Sequence, residues 1–528
     1  MFISTRLAAA AALLCLGACQ SQDNDLSQIQ PAPEIAGEAL STTQLDEQIW
    51  GQVRQHGSYD WRQASEHVVW SALQRSDQVL SVGYAPAGRC GQDAALPDDA
   101  TADPAYARAR QQVLALILAA ERAAHPEATA ENLVVYQPSA LPVLTVRVRE
   151  LATIKALRRS PLVRYAEPMG YEPYHPNGAG SKTTSSLSSS GCGGNTATAG
   201  LVAGSDYTVL AEGSKSSWNQ ADQYHGVRAA WSQSTGRGVK LVIIDTGSSG
   251  AQDNLGSAFN QGQSTGRTVE RLVTLPRNSL FGIPYGAAET PNDACGHGTS
   301  MAGAAAAPRG TDGAAAGIAY NANLITIRAA EDVFLDASRE VQGVADAYVL
   351  AGNRADVRVI SMSMGRVTSS GQIADAIRYA HARGKLIFCA AGTSLDWTAG
   401  WVGVIFPASL PEAVAVTGVK DNLTTRCDEC HVGADVEFTV VMQKSANNLR
   451  PLSLAMSGDA PSTVGGSSVA TASMAGMAAV VWSKYPTETR DQIRARLVAA
   501  SSNATNRSAS FGYGRVNLAR AVGAPLLQ

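Results

Sequence analysis

The chain has 528 residues, with 42 basic and 45 acidic side chains mixed along it and a formal net charge of -3, which excludes the basic footprint of a nucleic-acid-binding protein. That length exceeds what one hydrophobic core organises, so two or three domains are expected. A charged fraction of 16% with 49 glycines argues against a disordered chain and suits helices packed closely on a sheet.

At the amino terminus, Arg6 precedes an apolar run from Leu7 to Leu16 and then small residues, the pattern of a secretory signal. The run is too short to cross a bilayer. Leu16-Gly17-Ala18-Cys19 resembles the bacterial lipobox, which implies cleavage before Cys19 and acylation there; plain signal cleavage nearby is the alternative. Acylation with two or three chains would give stable anchoring. Gln20 after the cysteine resembles the outer-membrane sorting default. Residues 1–18 therefore read as signal peptide and 19–45 as a polar tether between lipid and protein.

Residues 46–173 form the next region, mostly helical up to about 135, with apolar positions at helical spacing from Ala107 to His125. Residues 141–168 read as strand, helix, strand, ending in Val163-Arg164-Tyr165-Ala166-Glu167-Pro168. Residues 174–215 open with a Gly, Ser and Thr-rich stretch that reads as a linker and processing region. From 216 to 528, buried β-runs alternate with helices: Val239 to Ile244, Asn323 to Arg328, Val357 to Met362, Lys385 to Ala390 and Ala413 to Val419. That alternation predicts an α/β fold, a mainly parallel sheet flanked by helices, preceded by a smaller α+β region.

Three strings carry chemistry. The run Val239 to Ile244 ends in Asp245-Thr246-Gly247, placing a carboxylate at the carboxyl edge of a parallel sheet, where open α/β sheets build their sites. Gly296-His297-Gly298-Thr299 with Ala302-Gly303 leaves an imidazole unobstructed at the start of a tightly packed helix. Gly466-Ser467-Ser468-Val469-Ala470 sets a serine at the start of an Ala-rich helix, where free N–H groups and the helix dipole favour developing negative charge. A serine hydroxyl attacks an amide only with a base in reach and a carboxylate to orient that base.

Together these strings resemble the subtilisin-like serine proteases (subtilases, peptidase family S8), whose triad follows the order Asp, His, Ser. The likeness runs over about 216–522 and includes Val359 to Gly365 and Gly512 to Asn517. It implies an endopeptidase acting on proteins or peptides with Asp245, His297 and Ser468 as triad. It further implies a pocket for the residue before the cut bond between Ser363, Met364 and Gly365 on one side and Ala390, Ala391 and Gly392 on the other. Residues 141–168 resemble the second half of the family's inhibitory prodomain, which makes the chain's own prodomain a partner; a generic α+β fragment is the alternative. No metal ligand set is read from the residues, and calcium enters only as a cofactor that the resemblance admits. A catalytically silent surface binding protein on the same fold is the competing function.

One position departs from the family. Ala391-Gly392-Thr393 puts Thr393 where the family has an Asn that, with the Ser468 N–H, donates to the oxyanion. The threonine hydroxyl hangs directly on Cβ, so the expectation is an underserved oxyanion. Setting aside Cys15 and the lipidated Cys19, six cysteines allow fifteen disulfide connectivities. Cys427-Asp428-Glu429-Cys430-His431 fits the C-x-x-C-H haem string; its place inside the peptidase-like region favours a disulfide or loop cysteines over haem or zinc.

Overall fold

The computed structural model describes residues 37–91, 95–173, 192–193, 195–280, 283–393 and 402–523. The expectations for the signal, Cys19, most of the tether and the Gly/Ser-rich stretch 174–191 fall outside these residues.

The first layer begins with helices α1 (Thr42–His56) and α2 (Glu66–Gln74), each started by a serine whose hydroxyl accepts a first-turn N–H. Strand β1 (Val79–Tyr84) follows, then α3 (Pro104–Arg122), β2 (Val143–Arg147), α4 (Leu151–Arg159) and β3 (Val163–Pro168). The three strands make an antiparallel sheet in the order β2-β1-β3. β1 corrects the helical reading of 46–135. All six of its residues are buried, so it lacks the alternation that marks a half-exposed strand.

The second part is a seven-stranded, wholly parallel sheet: β4 (Lys240–Asp245), β5 (Val269–Val273), β6 (Asn323–Arg328), β7 (Val357–Met362), β8 (Leu386–Ala390), β9 (Val414–Lys420) and β10 (Val436–Gln443), in the order β10-β9-β8-β7-β4-β6-β5. Six of its strands are buried on both faces, as parallel strands covered by helices must be, and the edge strand β5 is half-buried along its length. Helices α5 (His297–Ala306) and α8 (Gly466–Lys484) cover one face; α6 (Ser338–Asn353) and α7 (Gly371–Ala382) cover the other. α8 is apolar on nearly every side and buried along almost its whole length, with no solvent face to mark its boundaries in sequence.

Residues 195–215, read from composition within the linker region, carry regular structure: Tyr207–Val209 pairs with Lys215–Ser217, and the Asn195 carbonyl accepts from the Met456 N–H at 3.0 Å. Their order comes from backbone hydrogen bonding to the larger part, which composition does not reveal.

The three-stranded layer lies against α6 and α7 through acidic groups that meet helix starts and arginines. Asp77 accepts from the Ser338 hydroxyl at 2.8 Å, and Glu167 accepts from the Gly371 N–H at 2.6 Å. Arg164 forks onto Asp375 at 2.6 and 2.9 Å, and the Tyr165 hydroxyl joins the same carboxylate. Arg366, fully buried, donates to Glu172 and to the carbonyls of Met169 and Tyr171. Charges this deep hold only because every one has a partner.

Burial pushes the Glu167 carboxyl up to about 7, with the Gly371 N–H opposing and Asp60 adding to the rise. A carboxyl raised in the folded state contributes stability that is complete below its ordinary value and is lost as pH rises through the folded value. Urea unfolding followed between pH 4.5 and 8.5 is therefore expected to lose up to about 1.4 kcal/mol per pH unit through Glu167. Glu167→Gln should flatten that part of the slope, leaving the contributions of Glu340 and Asp346, which burial also raises. Identical slopes in the two proteins would remove Glu167 as the cause.

Candidate functional site

Asp245 is the last residue of the central strand β4, and His297 the first of α5. The two come together because α5 starts almost on top of the turn after β4. A Cβ on Gly298 would lie 2.3 Å from the Gly247 carbonyl oxygen, so only glycine permits the approach. His297 Nδ1 then lies 2.7 Å from Asp245 Oδ1, with both side chains buried. The same oxygen accepts the Thr246 N–H at 2.8 Å.

Burial alone would lower the His297 pKa, but the Asp245 carboxylate beside it, with Asp293 and Asp332 farther out, outweighs that and raises it. The ring is thus poised to take a proton, with the carboxylate set to stabilise the imidazolium that results.

Asp293, to which the sequence reading gave no role, ties this corner together. One of its oxygens accepts from the Thr246 hydroxyl and the N–H groups of Cys295 and Gly296; the other accepts from the N–H and hydroxyl of Thr299. The signal was available: an aspartate a few residues ahead of a helix start can accept from its free N–H groups.

Ser468 is the third residue of α8, two positions farther into the helix than the sequence reading had it. It remains in the first turn, where N–H groups have no partner inside the helix. Its hydroxyl donates to the Ser363 carbonyl at 3.4 Å, and the Ser363 hydroxyl donates back to the Ser468 carbonyl at 2.9 Å. This reciprocal pair fixes the helix start against the segment that follows β7.

A cavity of about 370 Å³ opens over these groups. His297, Ser468, Ser363, Met364, Gly365, Ala390, Gly392 and Thr393 all line it; of the expected pocket residues only Ala391 does not, being wholly buried. Asn195, Phe334, Ile405 and Glu429, unassigned in the sequence, line it as well. Gly392 has φ +125, and a Cβ there would strike the His431 ring at 2.4 Å, so the glycine is required twice over.

Two disulfides frame the cavity. Cys192–Cys295 fastens the start of the 192–198 segment two residues before His297, and the Asn195 amide donates to the Gly296 carbonyl at 2.5 Å. Cys427–Cys430 closes the C-x-x-C-H string, leaving neither sulfur for a haem thioether, and burial pushes the His431 pKa down to about 4. Cys90 and Cys389 are free thiols. Among the described residues no group of three or more His, Cys, Asp or Glu side chains could hold a metal ion.

The subtilase family model (Peptidase S8) matches residues 236–514. Subtilisin DY from Bacillus licheniformis is 30% identical over 285 residues, covering 53% of this chain and 88% of that protein. The subtilisin of Bacillus sp. strain TA39 is 28% identical over 311 residues, covering 55% of this chain and 67% of its own. Among solved structures, MycP1 from Mycobacterium smegmatis aligns with a TM-score of 0.44 at 21% identity, over 58% of this chain and 86% of that one. With a family model spanning more than half of its length, the chain belongs to the subtilase family of serine endopeptidases.

Proposed function

We propose that Ser468 is the nucleophile of an exported, lipid-anchored endopeptidase, His297 its base and then acid, and Asp245 the group that orients and stabilises His297. The observation that carries this reading is the buried 2.7 Å contact of His297 with Asp245, with His297 and Ser468 lining one cavity. To attack, the Ser468 hydroxyl leaves the Ser363 carbonyl and gives its proton to His297. The proton then passes to the leaving amine, while the oxyanion faces the Ser468 N–H and Thr393. Protein or peptide chains are the substrates, with the residue before the cut bond between Ser363–Gly365 and Ala390–Gly392.

The layer formed by residues 46–173 is proposed as the enzyme's own propeptide. Supporting this, its last described stretch binds Arg366 and the Val367 and Thr368 N–H groups through Glu172, immediately beyond the pocket segment ending at Gly365. Export is supported by the disulfide Cys192–Cys295, which suits an oxidising compartment. Anchoring rests on Leu16 to Cys19 alone.

Ser468→Ala is expected to fold, to lose labelling by a fluorophosphonate and to lose hydrolysis of casein; retained hydrolysis would overturn the assignment. Because the His297 pKa is raised, the acid limb of kcat/KM should lie above the ordinary imidazole value of about 6.5. Asp332→Asn should move that limb to lower pH without abolishing turnover, whereas an unmoved limb would show that Asp332 is not felt at the ring. Cys19→Ala should shift the protein from the membrane fraction to the soluble one, and an unmodified wild-type mass with unchanged fractionation would remove the anchor.

A further inference from the structure

Thr393 does not stand alone in the cavity. Its hydroxyl oxygen lies 2.7 Å from the Ser467 hydroxyl and accepts the Ser467 N–H at 3.2 Å. The Thr393 backbone is held in turn: Thr393 pairs with Cys430, and the Gly392 carbonyl accepts the His431 N–H at 3.0 Å. Gly466, at φ +79, leaves the room this contact needs, since a Cβ there would lie 3.1 Å from the Thr393 hydroxyl oxygen. Ser467 is wholly buried, while Thr393 lines the cavity beside Ser468.

A hydroxyl has one proton and two acceptor sites. The Ser467 N–H fills one acceptor site of Thr393. If the Ser467 hydroxyl fills the other, the Thr393 proton has no partner within the pair and turns into the cavity. Two donors arriving at one oxygen also polarise its remaining O–H, making it a stronger donor. The reverse orientation, Thr393 donating to Ser467, would leave the free proton on the buried side chain.

Resting on the reading of Ser468 as nucleophile, we infer that Thr393 and Ser467 form a two-hydroxyl oxyanion donor: Thr393 touches the oxyanion, and Ser467 is a positioning residue that aims and polarises it. When Ser468 Oγ bonds to the substrate carbonyl carbon, the carbonyl π-electrons move to its oxygen and the Thr393 O–H donates to it. No proton leaves either hydroxyl. Support from Ser467 changes the expectation drawn from side-chain length alone, because the short threonine arm is aimed from behind rather than left to find the oxyanion unaided.

The test is steady-state kinetics of the full chain on a peptide amide. Thr393→Val, which keeps the shape and removes the hydroxyl, should lose about 100- to 1,000-fold in kcat with KM little changed, the cost of one oxyanion donor. Ser467→Ala should lose roughly 3- to 10-fold in kcat, and Ser467→Thr should restore it. In the Thr393→Val background, Ser467→Ala should cost nothing further. An undiminished kcat in Thr393→Val, or a Ser467→Ala loss of full size in that background, would overturn the pair. Should Thr393→Val fail to fold, Thr393→Asn serves instead: the longer amide reaches the oxyanion without Ser467, so Ser467→Ala should be silent there, and an equal loss would overturn the proposal. Fluorophosphonate labelling of wild type reads Ser468 independently, so an unlabelled Ser468 would sink the nucleophile reading rather than the pair.

Discussion

Everything at the site depends on how closely α5 meets the turn after β4. The parallel sheet delivers Asp245 to its carboxyl edge, but a carboxylate there does nothing until an imidazole is pressed against it. The Gly298 contact with Gly247 sets the approach, and Asp293 holds it from below by accepting from residues on both segments. A methyl group at Gly298 or an alanine at Asp293 would therefore act on the chemistry through position, without touching substrate. Buried donors left without Asp293 would each cost about 1–3 kcal/mol, which makes that carboxylate a structural requirement of the whole corner.

Electrostatics and packing share the same groups here. His297 is buried, which on its own favours the neutral ring, and is surrounded by Asp245, Asp293 and Asp332, which favour the charged one. Asp293 spends its charge on N–H and hydroxyl donors, so it is felt at His297 less than Asp245, which points an oxygen at the ring. The result is a base that binds a proton more readily than free imidazole.

Much of this was legible in the sequence because it is local. The five buried strand runs stand within a residue of where they were read, since unbroken apolar stretches bounded by glycine and polar turns have few other meanings. Asp245, His297 and Ser468 stand in strings in which glycine and small residues surround a polar side chain, and the fold brings the first two into contact and the last two onto one cavity. What escaped is non-local or unmarked. β1 is buried on both faces and shows no period; the pairing of Cys192 with Cys295 spans 103 residues and leaves no trace in spacing. Ser467 carries no mark in the sequence either, since its contact appears only when Thr393, 74 residues earlier in the chain, is brought beside it.

Where the layer of residues 46–173 meets helix starts, its contacts are acidic for a physical reason. It covers α6 and α7, and both helices present their amino-terminal starts and neighbouring serine or amide donors to it. Burying those ends under an apolar surface would leave donors unpaired; Glu167 instead accepts the Gly371 N–H, and Asp77 accepts the Ser338 hydroxyl. The same logic extends to Glu172, which meets a buried arginine and two backbone N–H groups beside the pocket strand. These carboxylates gain their worth only in contact, because in water they are solvated already. Separating the layer therefore exposes donors and carboxylates on both sides, and water can satisfy them. The interface is consequently specific in register, because each donor and each carboxylate is satisfied only in one alignment of the two parts.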